Sequence, residues 1–456
     1  MNGLFRNLMH GQMKHHLLFI VVLLWVALQI NAAFSATDPV MDQVNFGGVD
    51  IRSIEREPDA ETLLPVADRT FSDFEPKGLI VSHFIVLPSL GVGYEYNDNL
   101  YASETNEEAD MAFVVSPGLS IQKQKDKNYI SAQLESEIVR YLDNTNENLE
   151  NYSLDVNGAY ELRHDLILPY GIGYERYHQD RADNLSRVFT KEPLSVTDLE
   201  LTAGVAYKPN RFGLNVNLNH LQKTFEDGVS FLDPSRRVIN SDANYETNQV
   251  EVRASYELPV NHTVFASGVY GSTKYDKAIF DEGAQTYTST FRDAKTLGAL
   301  LGLTTKYKGL VSAEIGVGYA AIDFDNPTLS DVENVAIDAE LDYNVTRLSS
   351  IGLDLTRRLV QDNEIIQGIV QTNGTLSLDH ELRRYLVLNA QASYTNRDYD
   401  GINREDDVYN LGLGFTYRPS PYYNIQGRYV YSTQDSNFAG NDFDRNLFML
   451  RLTGTY

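Results

Sequence analysis

The chain has no cysteine, which removes disulfides, thiolate metal centres, a cysteine nucleophile and the acylated N-terminal cysteine of a lipoprotein together. Tryptophan occurs once. Beyond the N-terminal region no segment approaches the ~18 consecutive apolar residues that a membrane helix needs, so any residence in a bilayer must be by strands. Positive charge is scarce as well: 38 Lys and Arg stand against 63 Asp and Glu, for a net charge of −25. That balance argues against nucleic acid as a partner. No shift of composition after residue 80 marks a domain boundary, so one long repetitive domain is expected.

One apolar run does exist, Leu17 to Ile30, preceded by Arg6 and Lys14 and followed by Asn31-Ala32-Ala33-Phe34-Ser35-Ala36. It is short for a bilayer span, and its basic and small-residue flanks predict a secretory signal peptide over residues 1–36. Residues 37–79, with Pro39, Gly47-Gly48, Pro58, Pro65 and Pro76, predict a periplasmic tail or small stopper. Residues 80–456 remain for the main domain.

What the chain holds in abundance is tyrosine, 29 residues, and glycine, 31. From residue 80 paired strands alternate with short polar turns and longer acidic loops. Eight short turns are expected: 125–128, 163–165, 209–211, 259–262, 306–309, 344–347, 383–384 and 419–421. Longer loops fall at about 97–110, 143–151, 178–194, 226–247, 276–290, 323–333, 360–368, 398–407 and 433–445. Within strands the period is two: Tyr152, Leu154, Val156, Gly158, Tyr160 and Leu162 alternate with Ser153, Asp155, Asn157, Ala159 and Glu161. Apolar outside and polar inside, with short turns at one end and long loops at the other, predicts an all-β fold. It is a single transmembrane antiparallel β-barrel of about 18 strands in the outer membrane of a Gram-negative cell. Alternation alone also suits a soluble sandwich, but tyrosine placement separates the two. On rising strands Tyr94, Tyr174, Tyr319, Tyr394 and Tyr429 sit near the long loops. Descending strands carry Tyr160, Tyr207, Tyr256, Tyr343 and Tyr417 near the short turns. Two belts are expected of rings that meet lipid while their hydroxyls reach headgroups. The run Phe448 to Tyr456 is the expected closing strand, ending on Tyr456 and pairing with the first strand near Phe84 to Tyr96, since only closure removes both open edges.

The expected lumen is lined by Glu135, Glu137, Asp155, Glu175, Glu200, Glu251, Glu314, Asp338 and Glu340. Its main basic residues are Arg253, Arg358, Arg397, Arg428 and Arg451. An excess of carboxylates favours cations if the groups face water. If they pair with arginines across strands, they stiffen the wall instead. Gly91-Val92-Gly93, Gly171-Ile172-Gly173, Gly316-Val317-Gly318 and Gly412-Leu413-Gly414 lie inside strands, open no helix and point to no nucleotide. Histidines fall on turns or outward faces, so no catalytic centre, cofactor or metal site is expected. The loops at 178–194 and 226–247 are long enough to fold inward as a constriction. Expected partners are outer-membrane lipid and the barrel-assembly machinery.

The segment His83-Phe84-Ile85-Val86-Leu87-Pro88-Ser89-Leu90, continuing through Tyr94-Glu95-Tyr96-Asn97-Asp98-Asn99, resembles the first strand of the putative beta-barrel porin 2 family. Val115-Ser116-Pro117-Gly118-Leu119 resembles its second strand, and Asn97 stands where many members carry Asp. The resemblance implies an outer-membrane barrel and, for many members, export of exopolysaccharide or capsular polysaccharide. It thereby implies a polysaccharide cargo and a periplasmic polysaccharide-export protein as partners. The alternatives are a general diffusion porin for small solutes and a non-conducting structural or adhesive barrel. Asn97-Asp98-Asn99 offers hard oxygens suited to calcium, but reads better as the turn that leaves the first strand.

Overall fold

A computed structural model describes residues 64–69, 71, 73–125, 128–182, 190–231, 233–281, 284–361 and 368–456. The expected signal peptide and residues 37–63 of the expected tail lie outside the described residues. Eighteen long antiparallel strands form the wall: β1 (Phe84–Asn97), β2 (Asp110–Lys125), β3 (Asn128–Tyr141), β4 (Leu149–Arg163), β5 (Leu166–His178) and β6 (Ser195–Tyr207). They continue as β7 (Phe212–Phe225), β8 (Tyr245–Leu258), β9 (His262–Tyr275), β10 (Ala294–Tyr307), β11 (Val311–Phe324) and β12 (Val332–Thr346). The last are β13 (Ser349–Gln361), β14 (Gly368–Arg383), β15 (Leu386–Tyr399), β16 (Arg404–Ser420), β17 (Tyr423–Ser436) and β18 (Phe443–Thr455). Each pairs with its neighbours in sequence, and β18 returns to β1 in a register that runs from Ser89↔Thr455 to Asn97↔Leu447. The sheet therefore has no open edge, and every strand has partners on both sides, as a bilayer demands. A short flap, Leu79–Val81, folds back on the start of β1.

The described residues of the expected turns join strands at one end of the barrel and those of the long loops crowd the other; residues 126–127 of the first turn and 362–367 of the loop at 360–368 lie outside the described residues. Several strands run further into the expected turns; Lys306 and Tyr307, for example, belong to β10. Asn344 and Val345 continue β12 because the Asn344 N–H donates to the Leu310 carbonyl (2.8 Å) and its side-chain amide to that of Gly309 (2.9 Å). Pro419 continues β16 inside an irregular stretch between Tyr417 and Ser420, where a missing N–H costs no ladder bond.

Side chains alternate as the period of two requires. Tyr94, opposite Phe113, and Leu450 on β18 share the outer face, and outward Leu301 is 71% exposed to water. With Leu90, Leu134, Ile172, Leu218, Ile315 and Leu413 also exposed, the outer wall is a continuous apolar belt far larger than a water-soluble surface tolerates. Lipid is the solvent this face fits.

Glycines on the inner face answer a close approach of neighbouring strands. A Cβ on Gly93, at the β1–β18 seam, would lie 2.6 Å from the Leu450 carbonyl oxygen, and one on Gly318 would strike the Ala299 carbonyl.

Candidate functional site

The inner face is built from alternate residues of all eighteen strands, and register decides which of the expected residues meet. Glu135 and Glu137 (β3), Asp155 (β4), Glu175 (β5) and Glu200 (β6) share it, each in phase with its neighbour through the ladder pairs Gln133↔Asp155, Asp155↔Gly173 and Gly173↔Glu200. So do Glu251 and Arg253 (β8), Glu314 (β11), Asp338 and Glu340 (β12), Arg358 (β13), Arg397 (β15), Arg428 (β17) and Arg451 (β18).

Ion pairs within this set reach past adjacent strands. Arg253 meets Glu314 at 2.9 Å from β8 to β11, and its guanidinium stacks on inward Phe265 with 3.6 Å to the ring centre. Arg451 meets Glu137 at 2.8 Å across the closing seam, from β18 to β3. Carboxylates also lie side by side: Glu314, Glu340 and Asp354 are consecutive ladder partners, and Glu175 faces Asp198. Arg358 and Arg397 flank Gln371 in register, and Arg397 faces Asp406. The inner wall thus carries acidic arcs over β3–β6 and β11–β13 and an arginine-rich arc over β13–β18.

At the long-loop end the lumen is narrowed. Inward Tyr177, Val196, Phe225, Tyr245 and Tyr275, at the loop-side ends of β5–β9, form one buried apolar cluster with Val360, Ile369 and Tyr399 of β13–β15 and with Ala243 of the loop between β7 and β8. These strands lie far apart around the wall, so the cluster reaches across it. Cations are packed against the rings: Lys223 donates to the Tyr177 hydroxyl at 3.1 Å, Arg292 lies 4.5 Å over Tyr275, and Arg404 lies 4.3 Å over Tyr399. Three loops interlock above the cluster. Asp242, fully buried, accepts the Phe280 N–H at 2.7 Å, and its carbonyl accepts from Arg292 at 2.9 Å. Thr190 and Ser230 bridge the first two loops, and Asp180 reaches Arg445 of β18 at 2.7 Å. Arg445 and the Ala182 N–H together hold the Asp180 carboxyl below the ordinary range. The described parts of both loops expected to fold inward therefore do so.

Asn97-Asp98-Asn99 forms the clasp of the seam. The Asp98 carboxylate accepts the Asn446 backbone N–H at 2.6 Å and the Asn446 side-chain amide at 2.7 Å, while Asn99 donates to the Asp444 carbonyl at 2.9 Å. Asn97 accepts the Asn99 N–H at 3.0 Å. The Asp98 oxygens are committed to the last strand and those of Asn97 and Asn99 to the N–H groups of Asn99 and Ser103, and no cluster of three or more His, Asp or Glu suited to a metal occurs among the described residues.

On the outer face, tyrosines form contacts at both ends of the strands. Near the long loops Tyr94 meets Phe113 (5.4 Å), Tyr152 meets Tyr174 (6.2 Å), Tyr394 meets Tyr409 (5.0 Å) and Tyr429 meets Phe448 (4.7 Å), while Tyr319 stands exposed on β11. Near the short turns Tyr160, Tyr207, Tyr256, Tyr343 and Tyr417 are joined by Tyr307 and Tyr385. Tyr456 is exposed beside Tyr422, and its N–H donates to the Pro88 carbonyl at 3.2 Å.

Sequence reasoning missed Tyr245, Tyr275 and Tyr399 in the constriction. Their inward phase, shared with Glu251 and Arg397, was the available signal. It also missed a cross-strand pair, Ser349 Oγ with His380 Nδ1 at 2.9 Å. That pair lies on the outer face, away from the lumen.

A family model described as putative beta-barrel porin 2 matches residues 72–456. The chain belongs to that family. It is an outer-membrane β-barrel of porin type, and the short-turn end is periplasmic. No curated protein is similar enough to match. Among solved structures the barrel is similar to OpdK of Pseudomonas aeruginosa, crystallised with vanillate, at 10% identity over 81% of this chain and 99% of that one, with a TM-score of 0.45. OccK2 (OpdF) of the same organism, in complex with glucuronate, is 9% identical over 81% and 98%, with a TM-score of 0.43. OccAB4 of Acinetobacter baumannii is 11% identical over 81% and 98%, with a TM-score of 0.44.

Proposed function

We propose that the protein is a passive channel for small polar solutes across the outer membrane. The observation that carries this reading is the constriction: a barrel of eighteen strands leaves an aqueous bore unless something fills it, and here inward tyrosines and three interlocked loops reduce the bore at its extracellular end. A charged inner wall with an apolar collar suits hydrated molecules of limited girth. Proteoliposome swelling tests it. Monosaccharides and small amino acids enter protein-containing vesicles, whereas long oligosaccharides do not. Equal exclusion of all solutes by folded protein contradicts the proposal.

A second reading, export of polysaccharide, is favoured by the file of amides Asn215, Asn217 and Asn219 on the inner face of β7, in register with Arg253, Glu251 and Gln249 of β8. Amides in a row offer successive hydrogen bonds to sugar hydroxyls. This reading requires the loop lid to open as the polymer passes. Loss of surface polysaccharide on deletion, together with vesicles closed to small sugars, supports it over diffusion.

A further inference from the structure

The periplasmic mouth carries a strap made from the chain itself. Traced backward from the flap at Leu79–Val81, the strap follows the inner rim beneath successive strands. Glu75 lies 3.6 Å from Arg418 of β16, and Phe74 packs edge-on against Tyr385, 6.0 Å between ring centres. Arg384 sits 5.8 Å over Phe71. Arg69 is 3.6 Å from Glu381 of β14 and donates to the Arg347 carbonyl in the β12–β13 turn. Val66, only 3% exposed, closes the series, its N–H donating to Ser350 Oγ of β13 at 2.9 Å.

The manner of attachment separates this strap from the wall. Val66 is the one buried side chain among its described residues, and both ion pairs are long. Behind it remains a recess of about 110 Å³, with Val66, Ala67 and Arg69 on the strap side and Asp379, Arg384 and Arg428 among the wall residues. A segment held by one buried apolar anchor, one largely buried ion pair, Arg69–Glu381, and one half-exposed pair, Glu75–Arg418, opens at lower cost than a strand paired on both sides. Its contacts with Ser350, Glu381 and Arg418 fall on inward or rim groups, so docking takes space from the mouth and release returns it.

We infer that the segment carrying Val66, Arg69, Phe74 and Glu75 is a latch that narrows the periplasmic mouth when docked and widens it when Val66 leaves Ser350. The inference rests on the channel reading above. Because the chain has no cysteine, the paired substitution Val66→Cys with Ser350→Cys introduces a single possible disulfide into the full-length protein. Planar-bilayer recordings compare this variant oxidised and reduced, beside Val66→Asp with Arg69→Glu, which expels the anchor; heat-modifiable mobility on gels verifies that each is a folded barrel. The latch predicts that the oxidised pair is held at the lower conductance level and gains the higher one on reduction. The expelled-anchor variant should rest at the higher level. Conductance that is present but identical in all these states overturns the latch and leaves the channel standing. Absence of conductance from every folded form overturns both.

Discussion

Asp98→Ala should loosen the barrel at its seam. The carboxylate accepts two hydrogen bonds from Asn446, at 2.6 and 2.7 Å, and Asn446 also accepts the Tyr429 hydroxyl at 2.7 Å. Loss of Asp98 therefore removes the acceptor that ties the first strand's exit to β18 and, through Asn446, to β17. Hydrogen bonds to a charged group contribute about 1.5–3 kcal/mol each, and water replaces part of that at a half-buried site, so the expected loss is about 2–4 kcal/mol. Asp98→Asn keeps one acceptor oxygen and should lose about half as much. The assay is denaturant unfolding of the detergent-folded barrel, followed by heat-modifiable mobility and by tyrosine fluorescence. A fall in midpoint with unchanged slope, graded Ala below Asn below the parent, is the expected result. Midpoints equal within error for all three would refute the clasp, and with it the reason for an Asn-Asp-Asn run at this position.

Further outcomes follow from the two mouths. Arg445→Gln breaks the 2.7 Å pair with Asp180; a partly exposed pair is worth about 1 kcal/mol, so lid opening should rise roughly fivefold in single-channel records, and unchanged opening contradicts the lid. Burial raises the pKa of Asp68 on the strap, and Asp379 of β14 repels it across the recess, with Arg69, Glu381 and Arg384 as the other charged neighbours. A carboxyl whose pKa is raised on docking takes up a proton as it docks, so docking gains stability as pH falls from neutral toward the ordinary carboxylate value of about 3.9. Conductance should fall on mild acidification, and Asp68→Asn should blunt the response. A rise in conductance over that range contradicts it.

Strand phase was legible in the sequence because a two-residue repeat assigns each side chain a face before any partner is known. Leu154 and Glu137 needed no tertiary information to be placed on opposite sides. The turns were legible for the same reason, being local clusters of Asn, Asp, Pro and Arg. Pairings were not, since Arg253 finds Glu314 and Arg451 finds Glu137 through the stagger and curvature of the wall, which no single strand encodes. Asp180 and Arg445 lie 265 positions apart. Only folding of a loop across the mouth joins them. The strap was half legible: a turn-rich tail suggested a stopper, yet nothing in Val66 marked it as the residue that would reach Ser350. Asn97-Asp98-Asn99 read correctly as a turn, but its hold on the last strand depended on closure of the barrel.

Single cysteines placed one at a time along β18 test whether the wall is a closed cylinder with lipid on one face and water on the other. Phe448, Met449, Leu450, Arg451 and Leu452 alternate across the wall. In proteoliposomes, cysteine at 448, 450 and 452 should react with a lipid-partitioned maleimide, and at 449 and 451 with a small water-soluble one. Uniform labelling by the water-soluble reagent at all five positions would contradict the account.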